Sequence, residues 1–247
     1  MSRSARLGSV LALVAALVLS GCAAQPAQHA EPTPESSTPA EAPIESEPAA
    51  EPVDPLQTVA SIVARAEALE LRAGDGTVVA TIDFAGPADV AVDTLTAVLG
   101  GPPVDESYEG GNHHAPGVIH TWDDALVVDE IHYGEGVMRD GAATVGAPDF
   151  RVSFDAVEVR GKVLATSDGI RVGDSFESLG EKIDPDLWTC MGWAAEFIEL
   201  PDPNAGTVKI GVGLSEWAWD EAAQNYGLKV DHVASIMAPT PVAAGCV

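Results

Sequence analysis

Apolar and polar positions interleave over residues 62–72 and again over 77–84, a spacing that predicts two strands. Gly74-Asp75-Gly76 lies between them, and Asp-Gly between two such runs is a strong hairpin signal. The period then lengthens. Over residues 89–99, Ala91, Val92, Leu95, Val98 and Leu99 fall on one face of a helix, which Asp89 can cap and Gly100-Gly101-Pro102 stops.

A second hairpin is expected from residues 117–122 and 125–132 around Asp123-Asp124, a two-residue turn that sets His120 opposite Val127. The same order then recurs. Strands are expected over 150–159 and 162–166, a short helix over 175–183, and strands near 194–200, 208–219 and 228–237. Two copies of strand pair, helix and strands, 56–145 and 146–247, predict an α+β domain with a mainly antiparallel sheet. This order of elements resembles the tandem α/β repeats of secreted β-lactamase-inhibitor proteins and of the small assembly lipoproteins that share their repeat. The resemblance implies a binding or inhibitory surface, not catalysis.

The first 21 residues follow other rules. Residues 7–19 are apolar but for Ser9 and follow a start that carries Arg3 and Arg6 and no acid, the layout of a secretory signal. This run is well short of the roughly 20 residues that a helix needs to span a bilayer. In the stretch LVLSGCAAQ, Leu19-Ser20-Gly21-Cys22 resembles the lipobox of bacterial lipoproteins. That resemblance implies a diacylglyceryl group on the Cys22 sulfur, cleavage before Cys22, and anchoring to the outer face of the cell membrane. Each buried acyl CH₂ contributes about 0.8 kcal/mol, and two chains turn marginal membrane binding into stable anchoring. The alternative is an ordinary signal cut beside Cys22. The whole chain resembles the cell-surface lipoproteins of high-GC Gram-positive bacteria.

From Ala23 to Pro55 the chain holds eight prolines and seven acids with no Lys, Arg, Gly or aromatic residue. Residues 22–55 are therefore expected to be a disordered, lipid-anchored stalk, because such a composition buries too little apolar surface to offset chain entropy. Residues 56–247 are long enough for a real core.

Charge narrows the partners. The chain carries 12 basic and 38 acidic residues, and cleavage before Cys22 removes two of the former and none of the latter. Phosphate backbones repel such a protein, which argues against nucleic acid, and anionic headgroups repel it too, so the membrane is met through the lipid on Cys22. A cell-envelope protein or glycan is the expected further partner. With Cys22 lipidated, Cys190 and Cys246 remain in an oxidising setting, where a disulfide is expected rather than two separate buried thiols. Closing that loop contributes about 4 kcal/mol in the chain-entropy model.

Three constellations bear on chemistry. His113, His114, His120 and His132, among Asp123, Asp124, Asp129 and Glu130, hold residue types suited to zinc or copper, but their spacing matches no metal motif and no metal site is expected. Gly173-Asp174-Ser175 resembles the nucleophile block of GDS-type serine hydrolases, yet the only Asp-x-x-His spacing, Asp129 to His132, lies upstream of it. Asp174 as a helix cap, paired with Glu177, accounts for the same residues. Trp188, Trp193, Trp217 and Trp219 crowd the last third, Trp217 and Trp219 on one strand face, where they either stack on sugars or pack in the core. The reading is a non-enzymatic interaction or ligand-binding module with no cofactor and no catalytic residue. The rivals are an envelope hydrolase and an exported metal-binding protein.

Cys22→Ala is expected to abolish incorporation of a fatty-acid analogue during metabolic labelling; label retained on the variant would refute the anchor.

Overall fold

The computed structural model describes residues 54–111, 115–133, 148–183, 186–189, 192–202, 206–220, 222–223 and 225–242. All lie in the unit Glu51–Val247. Of these residues 53% are in strands and 14% in helices, with two α-helices only, which overturns the expected α+β architecture.

One sheet has five strands in the order β3 (Val78–Asp83), β2 (Ala68–Ala73), β1 (Val59–Ala64), β9 (Lys162–Thr166) and β8 (Glu158–Val159). Its strands are antiparallel except β1 and β9, which run parallel. The other has eight antiparallel strands: β10 (Trp188–Thr189), β11 (Gly192–Asp202), β12 (Gly206–Ser215), β15 (Ser235–Pro241), β7 (Phe150–Phe154), β6 (Leu126–Ile131), β5 (Gly117–Trp122) and β4 (Val104–Tyr108). β13 (Trp217–Asp220) and β14 (Asn225–Lys229) form a separate pair. Strands from the two expected repeats pair with one another: β9 sits beside β1, and β7 sits beside β6.

Register explains the core. Ala80, Leu71, Ile62 and Leu164 stand opposite one another across the smaller sheet. In the larger sheet the corresponding line runs Trp193, Leu214, Ile236, Phe154, Leu126, Trp122. Helix α1 (Ala88–Leu99) adds Ala91, Leu95, Val98 and Leu99, and all these side chains belong to or pack against one contiguous apolar cluster. Burying each large apolar side chain contributes about 1.5–3 kcal/mol. Phe84 meets Phe150 edge-on with centroids 5.4 Å apart, joining the end of β3 to β7.

Several expected elements form with altered limits. α1 ends at Gly100, whose φ of 73° gives the left-handed cap that a Cβ would disfavour. Its N-cap is Pro87, not Asp89, whose carboxylate accepts from the Val90 N–H instead. The strand expected over 62–72 is two strands folded at Arg65–Glu67, and that over 150–159 is β7 and β8. The helix expected over 175–183 shrinks to α2 (Phe176–Leu179) and a 3-10 turn, Gly180–Lys182. Asp174 does not cap it; its Oδ2 accepts from the Arg171 N–H.

Two polar clasps tie the sheets together. Glu196 on β11 accepts from Arg65 Nε at 2.9 and 3.0 Å, from the Ala66 N–H at 3.1 Å and from Ser167 Oγ at 2.7 Å. Arg65 also reaches Glu70 at 2.8 Å. Burial pushes the Glu196 carboxyl up, but the hydrogen bonds from Ser167, Ala66 and Arg65 outweigh it and hold the group below its usual range. Elsewhere Arg160, in the β8–β9 turn, clamps Asp123 with Nε and Nη2 at 3.0 and 3.1 Å and donates to the Gly101 carbonyl. β12 passes close behind the first clasp because residue 211 is glycine: a Cβ there would lie 2.1 Å from the Glu196 carbonyl oxygen.

Glu196→Ala is expected to lower stability by about 1–3 kcal/mol in urea denaturation, since it takes the partner of the Ala66 N–H and one of the two carboxylates that hold Arg65. A change below about 0.5 kcal/mol would show that the clasp follows the sheets instead of holding them.

Candidate functional site

Two arrangements place polar groups close together or around a cavity. The first grows from the β5–β6 hairpin. Asp123 and Asp124 both take φ of 54°, and Ala125 is an extra residue in the turn, so Trp122 pairs with Leu126 and His120 with Val128. The expected partner was Val127; one added residue shifts the register by one. Ala125 is used elsewhere, its carbonyl accepting from the Asp155 N–H.

This register puts His120 on the face that carries Trp122, where it is only 7% exposed. Its Nδ1 lies 2.8 Å from Asp105 Oδ1 on the edge strand β4, and its Nε2 lies 3.1 Å from Glu130 Oε2 on β6. The other oxygen of Glu130 is 2.8 Å from His132 Nε2. The result is a line, Asp105–His120–Glu130–His132. A neutral imidazole has one N–H and serves one carboxylate of the two beside His120, whereas imidazolium serves both. Burial pushes the Glu130 carboxyl up, but hydrogen bonds from His132 and His120 hold it below its ordinary range. On the opposite face, the Tyr108 hydroxyl donates to Asp129 Oδ1 at 2.8 Å, and burial first, then Asp129, raises its pKa well above normal. Tyr108 lies so close over Gly117 that a Cβ there would be 2.5 Å from its hydroxyl.

The line does not converge. Among the described residues no three of His, Cys, Asp or Glu are grouped to hold a metal ion. His113 and His114 lie outside the described residues, as do Cys22, Cys190 and Cys246. Glu130 and His132 line a cavity of 400 Å³ with Pro87, Ala88, Asp89 and Asp149, where acids dominate.

The other sequence-derived residues are dispersed. Ser175 is bridged by backbone to His232, whose Nδ1 lies 3.1 Å from Asp231 Oδ1, but Asp231 is fully exposed and the described cavities are lined by other residues. Trp193 packs toward the core beside Phe176, with ring centroids 6.5 Å apart. Trp217 lies under Lys229 Nζ at 5.8 Å, and the register shift of the β13–β14 pair puts its extra residue, Gly227, in β14.

The second arrangement is one that no sequence signal marked. A cavity of 400 Å³ opens where the β1–β2 turn and the end of β3 approach β11, β12 and β15. Its walls are Ala66, Ala68, Phe84, Ala85, Leu200, Ile210 and Pro239, with Glu67, Thr81 and Asp83 as its polar lining. Its origin is local. Pro239 brings no N–H to the ladder, the β12–β15 register skips between Gly211 and Gly213, and three alanines stand where larger residues would fill the space. The clasp at Arg65 and Glu196 fixes one wall through the Ala66 N–H.

No protein-family model, curated protein or solved structure matches the chain. Any function is therefore read from these two arrangements and from the sequence.

Because the Glu130 carboxyl is held below its usual pKa near 4.3, its contribution to stability is present above that value and lost as pH falls through the lower folded value. The stability gap between the native chain and Glu130→Gln, from thermal melts, should shrink between about pH 6 and about pH 3. A gap that stays constant would contradict the hydrogen-bonded carboxylate.

Proposed function

We propose that the chain is a membrane-anchored cell-surface lipoprotein whose folded part is a non-enzymatic ligand-binding module. The lipobox-like Leu19-Ser20-Gly21-Cys22 supports the anchor, and the proline-rich, acidic segment after it supports a stalk that holds the module away from the membrane. The observation that carries the binding role is the cavity between the sheets. Small-ligand sites are concave, mostly apolar, about 300–1,000 Å³ in volume, and carry few polar groups to fix orientation. The cavity meets each of these conditions. Its walls come from both sheets, and the clasp of Arg65 with Glu196 holds the wall at Ala66. In this reading the His120 line is a strut that fixes the edge strand β4 to β6.

The soluble domain from Leu56 onward should enhance the fluorescence of a neutral solvatochromic dye such as Nile red. Ala85→Trp, at an exposed position in the cavity wall, should reduce that enhancement severalfold while shifting stability by no more than about 0.5 kcal/mol. Equal fluorescence with the variant would move dye binding elsewhere and remove the support for this reading.

A further inference from the structure

We infer that the ligand of this cavity is a small amphiphilic cation, an amine with an apolar tail or ring; this rests on the cavity being a binding site, as proposed above. The argument is the imbalance of its polar groups. Apolar wall is supplied by Phe84, Leu200, Ile210 and Pro239, which suits an alkyl or aromatic body. The charged residues in the lining are Glu67 and Asp83, both acids, with Thr81 as a neutral hydroxyl.

No lining residue is basic, and the two basic residues adjoining the lining in sequence are occupied. Arg65 is held by Glu196 and Glu70. Lys209 lies 4.7 Å over the Phe197 ring and 3.7 Å from Glu199. A carboxylate ligand would thus meet two like charges with no cation to balance them, whereas an ammonium meets two opposite ones. Asp83 is positioned by its own turn, Oδ1 accepting from the Ala85 N–H at 2.8 Å, which leaves Oδ2 for a ligand donor. The net charge of −26 adds a general attraction for cations, and the paired acids at an apolar mouth select those that also carry a tail.

The test is isothermal titration of the soluble domain with octylammonium, octanol and octanoate at low ionic strength. Octylammonium is expected to bind about five- to tenfold more tightly than octanol, with octanoate weakest. Glu67→Gln combined with Asp83→Asn should erase the preference for the amine over octanol, and Ala85→Trp should weaken both. Octanol binding as well as octylammonium, with both blocked by Ala85→Trp, would overturn the cation assignment and leave the cavity as a binding site. No binding of any probe to the native domain would overturn both. A preference that survives the double substitution would place the amine elsewhere on the acidic surface and also overturn the inference.

Discussion

The carboxylate of Glu196 is the point on which the two sheets depend. It gathers donors from the β1–β2 turn and from the segment after β9, while its own strand belongs to the other sheet. A partly buried carboxylate without those donors would carry a desolvation cost that nothing offset, so each partner is held as firmly as it holds. The turn that folds β1 back on β2 has no glycine or proline to impose it; the Ala66 N–H is fixed by a residue 130 positions away. Arg160 and Asp123 repeat the device, with both residues in left-handed turns that bring a guanidinium and a carboxylate face to face. Those two groups are exposed, so their pair directs geometry more than it stabilises.

This dependence explains what could be read from the sequence. α1 was legible because its period is internal to the segment, and Gly100 marks its end by local stereochemistry. The hairpin at Asp123-Asp124 was legible for the same reason, but not its register, because Ala125 bulges out to bond Asp155 across a strand that sequence spacing does not reveal. The break at Arg65–Glu67 was illegible: it carries no glycine or proline, and beside its own Arg65 N–H to Ala68 carbonyl bond it is held from afar by Glu196 and by the Phe84 N–H. The overestimate of helix has one cause. Residues 175–183 have capping chemistry and a plausible apolar face, yet four residues are all that stay α-helical before Gly180, at φ 48° and ψ −117°. Of the sites, His120 and Glu130 were visible as residues but not as neighbours with a shared oxygen pair, and the cavity was invisible because it is built from absences: alanine side chains, a missing proline N–H and a skipped register.

The two arrangements also divide the work of charge. In the His120 line, acids and imidazoles bond one another, and Glu130 is engaged on both oxygens, so the line has little left to offer a ligand. Around the apolar cavity the acids have no basic counterpart in the lining. Satisfied polar groups rigidify a fold, whereas groups left for solvent are the ones a ligand can take over without breaking the fold.

Excess negative charge costs a folded domain stability through self-repulsion, and this chain accepts that cost with few cations to relieve it. Arg65, Arg72, Arg160, Lys209 and Lys229 are all engaged in ion pairs. Of these, Arg65 with Glu196 and Arg160 with Asp123 join the two sheets, and Lys209 with Glu199 joins β12 to β11.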